Sequence, residues 1–160
     1  MNISITPAIR VLRESKIPFE PHIFDYVEKG GTKHSAASLG VDEHAVIKTL
    51  VFETNEKKPL IVLQHGDFQV STKNLARYLN VKTVAPVAPE KANRLTGYVV
   101  GGTSPFGVRT KMPIYAEKTI FDLERIYING GKRGFLVSIE SEVLEQILVI
   151  ERVAVTVKDG

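Results

Sequence analysis

Residues 46–64, VIKTLVFETNEKKPLIVLQ, place two runs of β-branched and large apolar residues on either side of a polar connector, TNEKK at 54–58. Val, Ile, Thr and Phe suit a pleated, half-buried surface, and a short polar link between two such runs predicts an antiparallel hairpin. Side chains alternate along an extended chain, so Lys48 shares a face with Val46, Leu50 and Phe52. A cation among apolar neighbours is expensive to bury unless a polar or anionic group meets it. Two readings stay open: Lys48 snorkels to the surface at a strand end, or it lines a pocket.

Outward from the hairpin, local signals punctuate the chain at short intervals. Thr6-Pro7 reads as an N-cap and first helical residue, with Ile9 and Leu12 on the apolar face up to Lys16. PFEPHIF (18–24) reads as extended, TKHSAASLG (32–40) as a short helix stopped by Gly40, and VDEHA (41–45) as a further turn. Ser71 caps a helix over TKNLARYLN (72–80), and APEKANRLTG (88–97) forms another that ends at Gly97. YVVGG (98–102), MPIYAE (112–117), ERIYING (124–130) and GFLVSIE (134–140) read as short strands, and SEVLEQIL (141–148) as a closing helix. Neither an internal repeat nor a low-complexity linker divides this order. The expected fold is α+β: one compact domain over residues 1–160, with a mixed, barrel-like β-sheet and flanking helices.

Composition narrows the function classes. A chain of 160 residues, 43% hydrophobic and 24% charged, has the balance of one globular domain with room for one core and one site. Its formal net charge of +3 falls short of the field expected of an obligate duplex DNA binder, but its sign favours an anionic partner. With no cysteine, there is no thiolate nucleophile and no Cys-based zinc site. The opening MNISITPAIRVLRESK carries charges where a signal peptide needs an apolar run, and no later run reaches membrane-spanning length, so a soluble, cytoplasmic protein is expected. His22, His34, His44 and His65 show no metal-ligand spacing, and each reads as a surface or capping residue. No metal and no cofactor are expected.

Two glycine clusters stand out. VVGGTSPFGVRT (99–110) is either a tight turn that reverses a strand or a nest of N–H groups for an oxyanion or phosphate. It follows neither the P-loop nor the G-x-G-x-x-G pattern, and Ser104 lacks the G-x-S-x-G setting of a hydrolase nucleophile. NGGKRG (129–134) is a hairpin turn whose Lys132 and Arg133 are either solvated or in contact with a phosphate backbone.

IKTLVF (47–52), GYVVGGTSPFG (97–107) and IYINGGKRG (126–134) together resemble, in order and spacing, the YbaK/EbsC family of free-standing aminoacyl-tRNA deacylases, to which the editing insertion of bacterial prolyl-tRNA synthetases is related. The resemblance runs from TPAIRVL to SEVLEQIL and implies an α+β fold with a mixed sheet and a metal-independent trans-editing activity. It makes Lys48 the essential lysine and Gly101 a catalytic backbone donor, with Thr49, Gly102, Thr103, Ser104 and Pro105 lining the aminoacyl site. Chemistry agrees, since ester cleavage passes through a tetrahedral oxyanion that positioned N–H groups stabilise.

Cys-tRNA(Pro) is the substrate the resemblance implies first, with Ala-, Ser- and Thr-tRNA as alternatives. Phe24 stands where the cysteine-clearing branch tends to have tyrosine, Asn129 stands where it has serine, and an aromatic of that branch is replaced near Gly31. Arg109, Lys111, Lys132 and Arg133 flank the two glycine clusters and are expected to grip tRNA phosphates. The implied partners are aminoacylated tRNA and, in a transient complex, prolyl-tRNA synthetase; neither DNA nor membrane is expected. The competing class is a non-catalytic module that binds acylated tRNA ends or nucleotides on the same fold.

Overall fold

A computed structural model describes residues 3–158. In chain order the elements are α1 (Pro7–Glu14), β1 (Glu20–Ile23), α2 (Gly31–Leu39), a 3-10 turn at Glu43–Ala45, β2 (Val46–Thr54), β3 (Pro59–His65), β4 (Phe68–Val70), α3 (Thr72–Leu79), β5 (Val84–Pro86) and α4 (Pro89–Thr96). There follow β6 (Ile114–Glu117), a second 3-10 turn at Lys118–Asp122, β7 (Arg125–Lys132), β8 (Phe135–Glu140), α5 (Val143–Ile147), β9 (Ile150–Val153) and β10 (Thr156–Lys158). The predicted caps are present. Thr6 accepts from the Ile9 N–H and Ser71 from the Asn74 N–H, each satisfying a donor that the first helical turn leaves unpaired.

The hairpin of 46–64 forms as read, with β2 antiparallel to β3 and Lys48 opposite Gln64. It lies at the centre of a mixed sheet ordered β1-β8-β7-β2-β3-β6-β9, in which β2 and β7, β3 and β6, and β6 and β9 run parallel. β5 adds to β2 away from this path, and β4 pairs β10 in a separate two-stranded sheet. Along this pairing path the sheet has two ends, β1 and β9.

Two differences from the sequence reading matter for the site. YVVGG is a turn rather than a strand: the Gly102 N–H bonds back to the Val99 carbonyl, and Gly101 takes φ +88°, a backbone state that ends extended structure. β4, β5, β9 and β10 are strands that the sequence reading does not include, although VIERVAVTVK (149–158), which holds β9 and β10, is rich in β-branched residues.

The alternation along β2 and β3 assigns the cores. Ile47, Val51, Ile61 and Leu63 face the main core, where Ile9 and Leu12 of α1 and the fully buried Phe106 pack. The opposite face has two smaller clusters. One joins Val46 and Leu136 to Ala36 of α2; the other joins Phe52, Leu60 and Val62 to Leu75 and Ala76 of α3. Lys48 falls on this face, between the two clusters.

Candidate functional site

β2 has different neighbours at its two ends. β7 pairs it at Val46 and Ile47, and β5 pairs it at Phe52 to Thr54. Among the described residues no strand pairs that edge between them, over Lys48 to Val51. A cavity of about 610 Å³ opens at this split, a volume suited to a small ligand. Lys48 and Thr49 form its floor, Phe24 and Leu136 stand on the β8 side, and Pro86 and Val87 on the β5 side.

The cation on this floor has a polar partner. Lys48 Nζ donates to the Phe68 carbonyl at 2.5 Å, which answers the open question at this residue: its side chain lines a pocket and is met by a backbone dipole. Thr49 Oγ1 is, among the described residues, the buried side-chain polar atom with no hydrogen-bond partner, and its residue lines the same cavity. A buried hydroxyl without a partner carries a desolvation penalty that a bound ligand atom can relieve.

The two glycine clusters meet at the rim. A Cβ on Gly102 would lie 2.9 Å from the Arg133 nitrogen and the Lys132 carbonyl carbon, so only glycine lets the two backbones touch. Asn129 ties the clusters together: its Nδ2 donates to the Gly101 carbonyl at 3.1 Å, while its Oδ1 accepts from the Gly131 and Lys132 N–H groups. Arg133 Nε donates to the Val100 carbonyl at 2.8 Å, and its guanidinium lies 5.0 Å from the centre of the Tyr26 ring. The Gly102 N–H is engaged by Val99. The hydrogen bonds among the described residues leave the N–H groups of Gly101 and Thr103 without a protein acceptor.

Of the residues singled out from sequence, Lys48, Gly101, Phe24, Thr49, Thr103, Asn129 and Arg133 line this cavity. Gly102, Ser104 and Pro105 do not. Gly102 is pressed against the hairpin, and Ser104 and Pro105 turn inward, where Ser104 Oγ accepts from the Phe106 N–H. Phe106 anchors the loop, and its carbonyl accepts from the buried Tyr98 hydroxyl, whose pKa burial pushes up to about 12. The four cations have different surroundings. Arg133 is at the mouth, Lys132 reaches Ser4, Arg109 lies over Gly97 at the end of α4, and Lys111 is exposed outside the cavity.

Sequence reasoning missed the apolar wall from Pro86 to Ala92 and the rim position of Tyr26. VAPV (84–87) has no element assigned to it from sequence, and pairing of Val84–Pro86 with β2 turns it into a wall.

It also missed a cluster beneath the floor. His44 and His65 stack in parallel, 3.7 Å apart and 7° from coplanar, and His44 Nδ1 donates to Asp67 Oδ1 at 2.9 Å. His65 is fully buried, its Nδ1 donating to the His44 carbonyl and its Nε2 accepting from the Thr119 hydroxyl, both at 2.7 Å. Burial holds this imidazole below its ordinary pKa and keeps it neutral, as that bonding pattern requires. His44, His65 and Asp67 place ligand-type atoms within 4.8 Å of one another. The stacking does not suit a metal, because imidazole lone pairs lie in the ring planes and one ion cannot sit in two parallel planes 3.7 Å apart.

This mixed sheet, with its pocket at a split strand edge, belongs to a known fold class. A solved structure described as a candidate trans-editing enzyme for prolyl tRNA synthetase superposes with a TM-score of 0.79 at 19% identity, covering 98% of this chain and 100% of that one. A hypothetical protein of known crystal structure reaches 0.86 at 19% identity, over 95% of this chain. The chain belongs to the aminoacyl-tRNA editing domain family, whose model matches residues 30–147. EbsC of Enterococcus faecalis, named as a candidate Cys-tRNA(Pro)/Cys-tRNA(Cys) deacylase, is 27% identical over 155 residues, which cover 96% of this chain and 94% of EbsC. The proline–tRNA ligase of Streptococcus equi subsp. zooepidemicus is 30% identical over 100 residues, 62% of this chain and 16% of the ligase. Among the described residues, no helix is long and apolar enough to cross a membrane.

Proposed function

We propose that this chain is a trans-editing deacylase that cleaves the ester of mischarged aminoacyl-tRNA, Cys-tRNA(Pro) first, with Ala-, Ser- and Thr-tRNA as the other candidates. The observation that carries the reading is one apolar cavity lined by Lys48 together with Gly101 and Thr103, whose N–H groups have no protein acceptor among the described residues. The family match and the likeness to EbsC support it.

In this reading the terminal ribose and its aminoacyl ester enter the cavity, and Lys48 orients the ribose or the adjoining phosphate as a point charge. The Gly101 N–H stabilises the oxyanion as the carbonyl carbon becomes tetrahedral. With a cysteinyl ester the substrate thiol attacks that carbon and gives up its proton. The carbon–oxygen bond to the ribose then breaks, and the ribose oxygen takes a proton to leave as a free hydroxyl. Holding thiol and carbonyl together supplies much of the acceleration, so no protein nucleophile is required. With other esters water attacks in the same place and the free amino acid leaves. Thr49 Oγ1 bonds the substrate, and Arg133 at the mouth meets the RNA backbone.

The test is deacylation of Cys-, Ala-, Ser- and Thr-charged tRNA(Pro) by the protein and by Lys48→Ala. Turnover of at least one ester and its loss by at least about a hundredfold in Lys48→Ala is the expected result. No turnover of any ester, with charged tRNA still bound, would select the non-catalytic binding module instead.

A further inference from the structure

Lys48 depends on a carbonyl that belongs to another part of the chain. Phe68 begins β4, directly after the turn at Gly66 and Asp67. The Gly66 carbonyl accepts from Thr32 Oγ1 at 3.1 Å, and three further contacts fix that turn. The Gly66 N–H bonds to the Val46 carbonyl at 2.7 Å, Asp67 accepts from His44 Nδ1 through both oxygens at 2.9 and 3.2 Å, and the Phe68 ring sits edge-on to His44 and His65 at 5.0 and 5.4 Å. Gly66 has no room for a side chain, since a Cβ would lie 2.7 Å from the Glu43 carbonyl. His44 in turn is held by its stack on His65, whose ring nitrogens are both bonded. Gln64, opposite Lys48 in the register and on its face, donates to Thr156 Oγ1 at 3.1 Å and so braces the β4–β10 pair beside the lysine.

We propose that His44 and Asp67 are positioning residues for the reaction at Lys48: their bond sets the Gly66–Asp67 turn, which aims the Phe68 carbonyl that holds the Lys48 amine. Neither acts on the substrate. The inference rests on the deacylase reading only for its kinetic consequence; the structural link is testable without it.

The link is read from the Lys48 side-chain resonance in protein labelled with 13Cε,15Nζ-lysine, assigned by its disappearance in Lys48→Arg. Asp67→Ala and His44→Phe each remove the bond, and His44→Phe keeps a ring stacked on His65. Both are expected to shift or broaden the Lys48 signal, while Asp67→Asn, which still accepts from His44, leaves it in place. In deacylation, Asp67→Ala is expected to lose roughly tenfold in kcat with KM within about twofold, and Asp67→Asn to recover most of that loss. Thermal unfolding identifies a variant that no longer folds, and His44→Phe then decides in place of Asp67→Ala. An unmoved Lys48 signal in a folded Asp67→Ala or His44→Phe protein overturns the proposal, as does an equal loss of kcat in Asp67→Ala and Asp67→Asn. If the wild-type protein cleaves no ester, the deacylase reading fails by itself and the resonance still decides the link.

Discussion

Thr49 and Lys48 are neighbours on one strand, so their side chains leave the sheet on opposite faces, and both residues line the cavity where no strand covers the edge of β2. Lys48 is met by a carbonyl, whereas the Thr49 hydroxyl is buried with no partner. A buried polar group in that state costs about 1–3 kcal/mol, a penalty that the isosteric Thr49→Val removes. Thr49→Val is therefore expected to keep or raise the melting temperature while kcat/KM for the ester falls about tenfold. A lowered melting temperature with unchanged turnover would make the hydroxyl structural. The identity of Lys48 was legible in sequence as a cation out of place on an apolar face. Its partner was not, because Phe68 is twenty residues away and offers only a backbone oxygen.

Among the elements, the two glycine clusters act as one rim because they lie backbone to backbone. Gly102→Ala forces a methyl group to within 2.9 Å of main-chain atoms of Lys132 and Arg133, and neither can swing aside as a side-chain tip would. A loss of about 1–3 kcal/mol in stability is expected, by thermal or urea unfolding, with a raised KM as the rim parts. An unperturbed melting temperature would mean that the clusters are not in contact. Arg133 extends the same contact to Tyr26 and the Val100 carbonyl, so Arg133→Ala should weaken tRNA binding and flatten its salt dependence more than Lys111→Ala does. Equal slopes for the two variants would place the RNA elsewhere. Helices whose caps lie within three residues of their partners, such as those started by Thr6 and Ser71, could be read locally. β5 could not, since three residues become a strand only when β2 is there to pair them.

Over the whole molecule, β3 is buried along nearly its full length, and the histidine at its end is buried with it. Burial lowers the pKa of His65 and His44 opposes its charge as well; the His44 carbonyl, Asp67 and Glu117 favour the proton but do not outweigh burial. The unfolded chain takes up this proton near pH 6.5, the folded one only at lower pH. Between those values the unfolded state binds more protons, so stability falls as pH drops below about 6.5. The urea midpoint should be lower at about pH 5.5 than at about pH 7.5, and His65→Gln should flatten the difference; parallel pH dependences in the two proteins would refute this. At this scale the division between sequence and structure is clear. The sequence alone determined the hairpin, the capped helices, the α+β class, the odd lysine and the glycine clusters, because alternation, capping and φ preference are properties of residues close in the chain. Only the tertiary structure decided that β5 and β7 leave β2 open between them, that Gly102 touches Arg133, and that His44 and Asp67 stand behind Lys48. Such contacts join residues far apart in sequence, and their geometry comes from strand order and packing, which no local pattern encodes.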